Sequence, residues 1–237
     1  MSATSDAFDR GAGRYDLMVS LNPGYHHELG RASRELSARL KGREGLSLID
    51  LACGSGASTR TLVEATPPGT RITGIDASAG MLAEARSKPW PPEVRFTQAS
   101  AGRLDVSAFG EHDGVQACYL LRNVPEQERD RAVDEIFSLL RPGGWAVFQE
   151  YSVRGNARAT AVWSAVASAI IIPLGWIIDR NPDLYRYLHR SVLEFDDVAT
   201  VADRLTRAGF VDVAHRTASG WQRGILHTFV CRKPKET

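Results

Sequence analysis

A run of aliphatic residues ends on an acid at Asp50 and passes straight into a loop with two glycines two residues apart: Leu48-Ile49-Asp50-Leu51-Ala52-Cys53-Gly54-Ser55-Gly56. The residues that follow, Ala57 to Ala65, contain neither Gly nor Pro and read as a helix. A strand that turns through glycine into a helix commits the chain to a βα unit. Glycine has no Cβ, so a ligand can come close to the backbone of that turn.

The rest of the chain repeats the alternation. Leu46–Leu51 is the first strand and Arg71–Ile75 the second, which leads into Asp76. Ser78 can cap a helix through Arg86 with Met81, Leu82 and Ala85 on one face, until Pro89-Trp90-Pro91-Pro92 forbids continuation. Val94–Gln98 and Gly114–Leu120 are the third and fourth strands. Pro125 suits the first turn of a helix that turns Ala132, Val133, Ile136, Phe137 and Leu140 inward. Arg141-Pro142-Gly143-Gly144 ends it, and Trp145–Glu150 is the fifth strand. A helix from Asp196, with Val198, Val201, Ala202 and Leu205 on its core face, stops at Gly209, and strands Val211–Arg216 and Ile225–Cys231 follow. Strands alternating with helices predict a doubly wound, Rossmann-like α/β fold, a mostly parallel sheet with helices on both faces.

No linker or repeat divides the 237 residues, so one domain is expected. Residues 1–45 form an N-terminal cover that includes a helix over 31–41; 46–150 form the ligand-binding core. Residues 151–195 insert a helical lid, and 196–237 complete the sheet. Within the lid, Ala159 to Ile178 carries no charge and is long enough, at ~1.5 Å per residue, to cross a bilayer. Pro173 and Gly175 break its apolar end, which predicts a buried or substrate-facing helix pair rather than a span.

Charge excludes one class of partner. With 29 Lys and Arg against 28 Asp and Glu, the chain lacks the basic surplus that nucleic acid demands. Cys53, Cys118 and Cys231 are far apart, with no zinc-ligand spacing, which predicts free thiols, no metal and a cytoplasmic setting. The polar N-terminus has no secretory h-region.

The loop's ligand follows from what surrounds it. A dinucleotide usually meets GxGxxG, and here the third glycine is missing; no Lys follows, so the loop is not a P-loop. Asp50 ahead of the glycines faces a phosphate badly but suits an ammonium, directly or through water. Asp76, at the end of the next strand, can accept both hydroxyls of a ribose. A cofactor with an amino-acid end and a ribose fits both acids.

Asp50–Gly56 followed by Gly74-Ile75-Asp76-Ala77-Ser78 resembles the first two motifs of class I S-adenosylmethionine-dependent methyltransferases. The runs Leu121-Arg122-Asn123-Val124, Leu140–Gly144, Phe8-Asp9-Arg10, Tyr15-Asp16, Tyr185–Val192 and Ala208-Gly209-Phe210 are similar to the ubiquinone/menaquinone biosynthesis branch. The resemblance implies a seven-stranded sheet with its last strand antiparallel and C-methylation of a polyprenylated hydroquinone. It implies cofactor contacts at Asp50, Ala52, Cys53, Gly54, Gly56, Asp76, Ala77, Met81, Ser100 and Ala101. The family commonly has Asp or Asn where this chain has Ser100, with Gln98 as a helper, and a smaller segment where it has Gly220–His227.

Ring methylation needs alignment, exclusion of water, and a base for the hydroxyl beside the nucleophilic carbon. Arg122 can hold a phenolate oxygen; His189 and His227, or His26 and His27 on the cover, are candidate bases. Tyr15 and Tyr185 can shape the transfer site, while each of these residues has an ordinary packing or ion-pair role as its alternative. Glu150 stands at the end of the fifth strand beside the expected pocket, and His112 and His215 are read as structural. The lid offers Trp163, Ile170 to Ile172, Trp176 and Ile177 as a wall for a lipophilic acceptor, or as a peripheral membrane or homodimer contact. Two other readings stay open: a methyltransferase acting on an isoprenoid, phenolic or polyketide, and a non-catalytic cofactor-binding module.

Overall fold

The computed structural model describes residues 24–179 and 182–236. Phe8–Arg10, Tyr15 and Asp16 lie outside the described residues, as does most of the cover. Seven strands form one sheet: β1 (Ser47–Leu51), β2 (Arg71–Asp76), β3 (Val94–Gln98), β4 (His112–Cys118), β5 (Leu140–Tyr151), β6 (Val211–Thr217) and β7 (Leu226–Arg232). Their order is β3-β2-β1-β4-β5-β7-β6. The first five are parallel, and β7 runs antiparallel to both β5 and β6. The expected topology and its antiparallel last strand are both present.

The helices are α1 (Tyr25–Arg39), α2 (Ala57–Ala65), α3 (Ala79–Ser87), α4 (Arg129–Ser138), α5 (Ala157–Val166), α6 (Ile172–Asp179), α7 (Pro182–Glu194) and α8 (Val198–Arg207). One face of the sheet buries Ile49, Val115, Phe148 and Phe229 against Val133 and Ile136 of α4 and Val201 and Leu205 of α8. The other buries Leu48, Ile72 and Val147 with Leu29 and Leu36 of α1, Leu62 of α2 and Trp163 of α5. The five inner strands thus show apolar groups to both faces, as a covered sheet requires, while the edge strands β3 and β6 are mostly exposed.

Three local expectations are corrected. Arg141–Gly144 lies within β5 and not in a helix-ending turn: Leu140 already pairs with His112, and the extra residues bulge out before Trp145 pairs with Gly114. A single 3-10 turn, Glu126–Glu128, stands between Pro125 and α4. Pro173 does not split the lid into a helix pair. A π-helical turn, Ala167–Ile171, joins α5 to α6 without a break, and Pro173 follows it immediately, where the widened turn accommodates its missing N–H. Gly175 lets this helix approach α7, since a Cβ there would stand 2.1 Å from the Tyr185 ring. Nor is the long helix buried. Ala157–Trp176 is long and apolar enough to cross a membrane, with mean hydropathy 1.6, yet Ile170 is 51% and Trp176 65% exposed.

Candidate active site

The strand order reverses between β1 and β4, and the loops leaving their C-terminal ends flank that switch point, the place where open α/β sheets bind ligands. The loop after β1 alternates left-handed residues: Ala52 has φ 65°, Gly54 φ 54° and Gly56 φ 92°. Its start is tied to the neighbouring strand, because the amides of Ala52 and Cys53 both donate to the Ile75 carbonyl (2.7 and 3.1 Å). Asp76, half-buried at the end of β2, closes the far side. It accepts from the Gly54 amide at 2.8 Å and from the Ser78 amide at 2.9 Å, while Ser78 Oγ caps α3 through the Met81 amide.

The two glycines differ in purpose. A Cβ on Gly54 would meet no atom of the described residues within 4 Å, so among them this residue faces open space at the switch point. A Cβ on Gly56 would stand 2.8 Å from the indole of Trp90. An internal side chain explains Gly56, whereas the open side of Gly54 leaves room for a ligand. Cys53 is buried in the loop beside Gly74, a small core residue.

Asp50 is wholly buried beneath this loop. Its Oδ2 accepts from the hydroxyls of Ser58 (2.7 Å) and Thr59 (2.6 Å) at the start of α2, and its Oδ1 has no partner among the described residues. Burial pushes its pKa up to about 6, opposed by the two hydroxyls and reinforced by the charge of Asp76. A buried carboxylate oxygen left bare fits a polar contact from a bound molecule, and Gly54 and Asp76 supply the open approach beside it. Met81 is buried and Ala77 half-buried next to Asp76. The Gln98 amide donates to the Ala77 carbonyl at 3.0 Å. Ser100 itself is exposed, and Ala101 packs half-buried against the core.

Across the switch point, a 3-10 turn (Leu121–Asn123) presents Arg122, which is 8% exposed. Its Nη1 donates to Ser191 Oγ of α7 at 2.9 Å, and its Nε, 4.0 Å from Glu150 Oε2 in a loose ion pair, has no hydrogen-bond partner among the described residues. Glu150 accepts from the Leu121 amide at 2.5 Å through its other oxygen. Burial raises its pKa to about 7, against the pull of Arg122 and Arg129. Arg129 fixes the turn from behind, donating to the carbonyls of Leu121 and Val124 and pairing with Asp196 at 3.0 Å. Tyr187 of α7 donates to Asn123 Oδ1 at 3.1 Å, so the lid is bonded to this turn twice.

Beside Arg122 runs a column of rings that the sequence did not announce. Tyr25 stacks on Tyr119 (5.6 Å between centroids), Tyr119 on Tyr151 (5.2 Å) and Tyr151 on Trp163 (5.3 Å). Tyr119 holds a left-handed φ of 59°, a strained geometry for an aromatic residue and one found at functional sites. Gln222, from the unusual C-terminal segment, donates to the Tyr151 hydroxyl at 3.1 Å. The signal available in sequence was position alone, since Tyr119 and Tyr151 stand at the C-terminal ends of adjacent strands.

The histidines divide. His189 is half-buried against the column, its ring 6.5 Å from Trp163 and its Nε2 3.4 Å from Ser164 Oγ. His227 is buried in β7 against His215 and Phe229, and burial lowers its pKa, which keeps it neutral but takes it away from solvent. His26 and His27 are exposed on α1. His112 is a buried strut between Ser47 Oγ (2.9 Å) and the Phe109 carbonyl (3.1 Å). Tyr185 is buried against Gly175.

Residues 2–231 match the ubiE/COQ5 methyltransferase family. The chain is 32% identical over 227 residues, 95% of its own length and 89% of the relative's, to a demethylmenaquinone methyltransferase of Beutenbergia cavernae. It is 29% identical to the ubiquinone/menaquinone biosynthesis C-methyltransferase UbiE of Methylobacterium nodulans, over 91% of this chain and 86% of that one. Among solved structures, phosphoethanolamine N-methyltransferase 2 of Haemonchus contortus, in complex with S-adenosyl-L-methionine, shares the fold with a TM-score of 0.69 at 15% identity, over 99% of this chain and 61% of that one.

Proposed function

From a chain that belongs to the ubiE/COQ5 methyltransferase family, we propose C-methylation of a polyprenylated quinol with S-adenosyl-L-methionine as the donor. The observation that carries this reading is that two unlike sets of groups stand at the C-terminal ends of the central strands, where the strand order reverses. On one side stand the open Gly54, Asp76 and the bare Oδ1 of Asp50; on the other, a buried guanidinium beside a wall of stacked rings. Gly54, Asp76, Ala77 and Met81 would hold the cofactor, which supplies an electrophilic methyl group on a sulfonium.

The protein's own part is electrostatics and exclusion of water. Arg122 carries a buried Nε donor with no hydrogen-bond partner among the described residues, a group suited to a phenolate oxygen, and that oxygen's charge would activate the neighbouring ring carbon. Glu150 and Arg129 hold the turn that aims Arg122. Tyr119 and Tyr151, each stacked on both faces within the column, would meet an aromatic acceptor through their ring edges. His189 is the base candidate placed against that wall; His227, sealed in the sheet, is the weaker one.

A bond between Gln222 and Tyr151 favours a second reading, in which the same machinery methylates another phenolic or isoprenoid acceptor, because a segment particular to this chain helps to shape the wall. Exposed Ile170 and Trp176, within the uncharged stretch 159–178, suit contact with the bilayer that would dissolve a prenylated acceptor. Incubation with labelled cofactor and a panel of demethyl-quinols, phenols and isoprenoid diphosphates tests both readings. Label in a quinol ring supports the first, label in another acceptor the second, and no transfer despite tight cofactor binding refutes catalysis.

A further inference from the structure

The segment that ends α3 turns back to the glycine loop, bonded to the loop through Lys88, to α2 through Arg60, and packed on Gly56 through Trp90. Lys88 Nζ donates to the Ser55 carbonyl at 2.7 Å. Arg60 of α2 donates to the Pro89 carbonyl at 2.6 Å, and its guanidinium lies 4.0 Å from the centre of the Trp90 ring. Trp90 is itself fixed: its Nε1 donates to the Ala85 carbonyl at 2.7 Å, and its ring meets Phe96 edge-on at 5.2 Å. The held indole fills the space where Gly56 lacks a Cβ. None of these contacts occupies the open side of Gly54.

A turn with left-handed residues at positions 52, 54 and 56 has many competing conformations once its supports are removed, and ordering each residue costs conformational entropy. Holding the loop before a ligand arrives removes that cost from binding. We propose that Trp90, held by Arg60, the Ala85 carbonyl and Phe96, is a positioning residue that, together with the Lys88 bond to Ser55, presets the glycine loop for the cofactor, and so sets cofactor affinity without touching it. The proposal rests on the reading of this loop as the cofactor site.

The test uses the full chain as wild type, Trp90→Ala, Trp90→Phe and Lys88→Met. S-adenosylhomocysteine affinity is measured by calorimetry, and amide exchange at Gly54 and Gly56 is measured without ligand. Trp90→Ala should weaken binding about tenfold and speed exchange at both amides; Trp90→Phe, which keeps a ring over Gly56, should restore affinity to within about threefold. Lys88→Met, which leaves the indole in place, should give the same two effects in smaller measure and serves if Trp90→Ala does not fold. Affinity within twofold of wild type in Trp90→Ala, or in Lys88→Met where that variant stands in, together with unchanged exchange, overturns the proposal. Failure of the wild type itself to bind would sink the cofactor reading instead, and the ligand-free exchange would still decide whether Trp90 orders the loop.

Discussion

Replacing Glu150 by Gln should stabilise the protein above neutral pH and do almost nothing to it in mild acid. Glu150 is wholly buried, and its pKa is raised from 4.5 to about 7. A raised carboxyl pKa means that the folded protein holds the proton longer than the unfolded chain does. Its stabilising contribution is therefore complete below pH 4.5 and is lost as pH rises to about 7. At 1.36 kcal/mol per pKa unit, the ionised group costs on the order of 3 kcal/mol at pH 8. The groups facing it are Arg122, Arg129 and the Leu121 amide, with Cys118 nearby. Gln retains the acceptor for the Leu121 amide and places its NH2 where Oε2 had no partner. Urea unfolding of both proteins at pH 5, 6, 7 and 8, followed by tryptophan fluorescence, gives the difference directly. It should grow from under about 1 kcal/mol at pH 5 to about 3 kcal/mol at pH 8. Asp50, with its own pKa near 6, lowers both proteins alike and cancels. A difference that stays flat across this range would show that Arg122 holds Glu150 ionised at no cost, and the account of this pair would be wrong.

Other outcomes follow from the same geometry. Asp76→Ala removes the acceptor for two loop amides and should weaken S-adenosylhomocysteine binding at least about tenfold, roughly 1.4 kcal/mol, by calorimetry. Gly54→Ala should cost about 1 kcal/mol of stability from its left-handed backbone alone, yet abolish cofactor binding. Gly56→Ala adds a clash with Trp90 and should cost roughly 2–4 kcal/mol in urea unfolding. Arg122→Ala should reduce turnover while cofactor affinity stays within about threefold, since its contacts are Ser191, Asn123 and the Tyr119 ring; a fall in affinity alone would make Arg122 structural. If the lid helix meets lipid, Trp176→Asp should reduce flotation with quinone-containing vesicles, whereas a change in gel-filtration mass instead would assign the same face to a dimer.

The order of strands and helices was legible because each element carries its own period, and the turn chemistry at Gly54, Ser78 and Gly209 agrees with it. Errors fell where tertiary context overrides a local signal. The Arg-Pro-Gly-Gly run looked like a helix stop but is absorbed as a bulge by pairing with β4. Pro173 looked like a break, but a π turn accommodates it. In the site, Asp50 and Asp76 were legible from their place beside glycines, whereas their bonds to Ser58, Thr59 and two loop amides were not. The aromatic column could not be read, because its four rings come from α1, the β4 exit, β5 and α5. Trp90 looked like part of a helix terminator; only the fold brings it onto Gly56.

The central claim is that the switch point between Gly54 and Arg122 joins a methyl donor to a quinol ring. Mass spectrometry of the product formed from methyl-labelled S-adenosylmethionine and a reduced demethylmenaquinone tests it most directly. The account predicts one labelled methyl on a ring carbon, formed by the wild type and reduced by Arg122→Ala. Label on a ring oxygen, or none despite a saturated cofactor site, would contradict it.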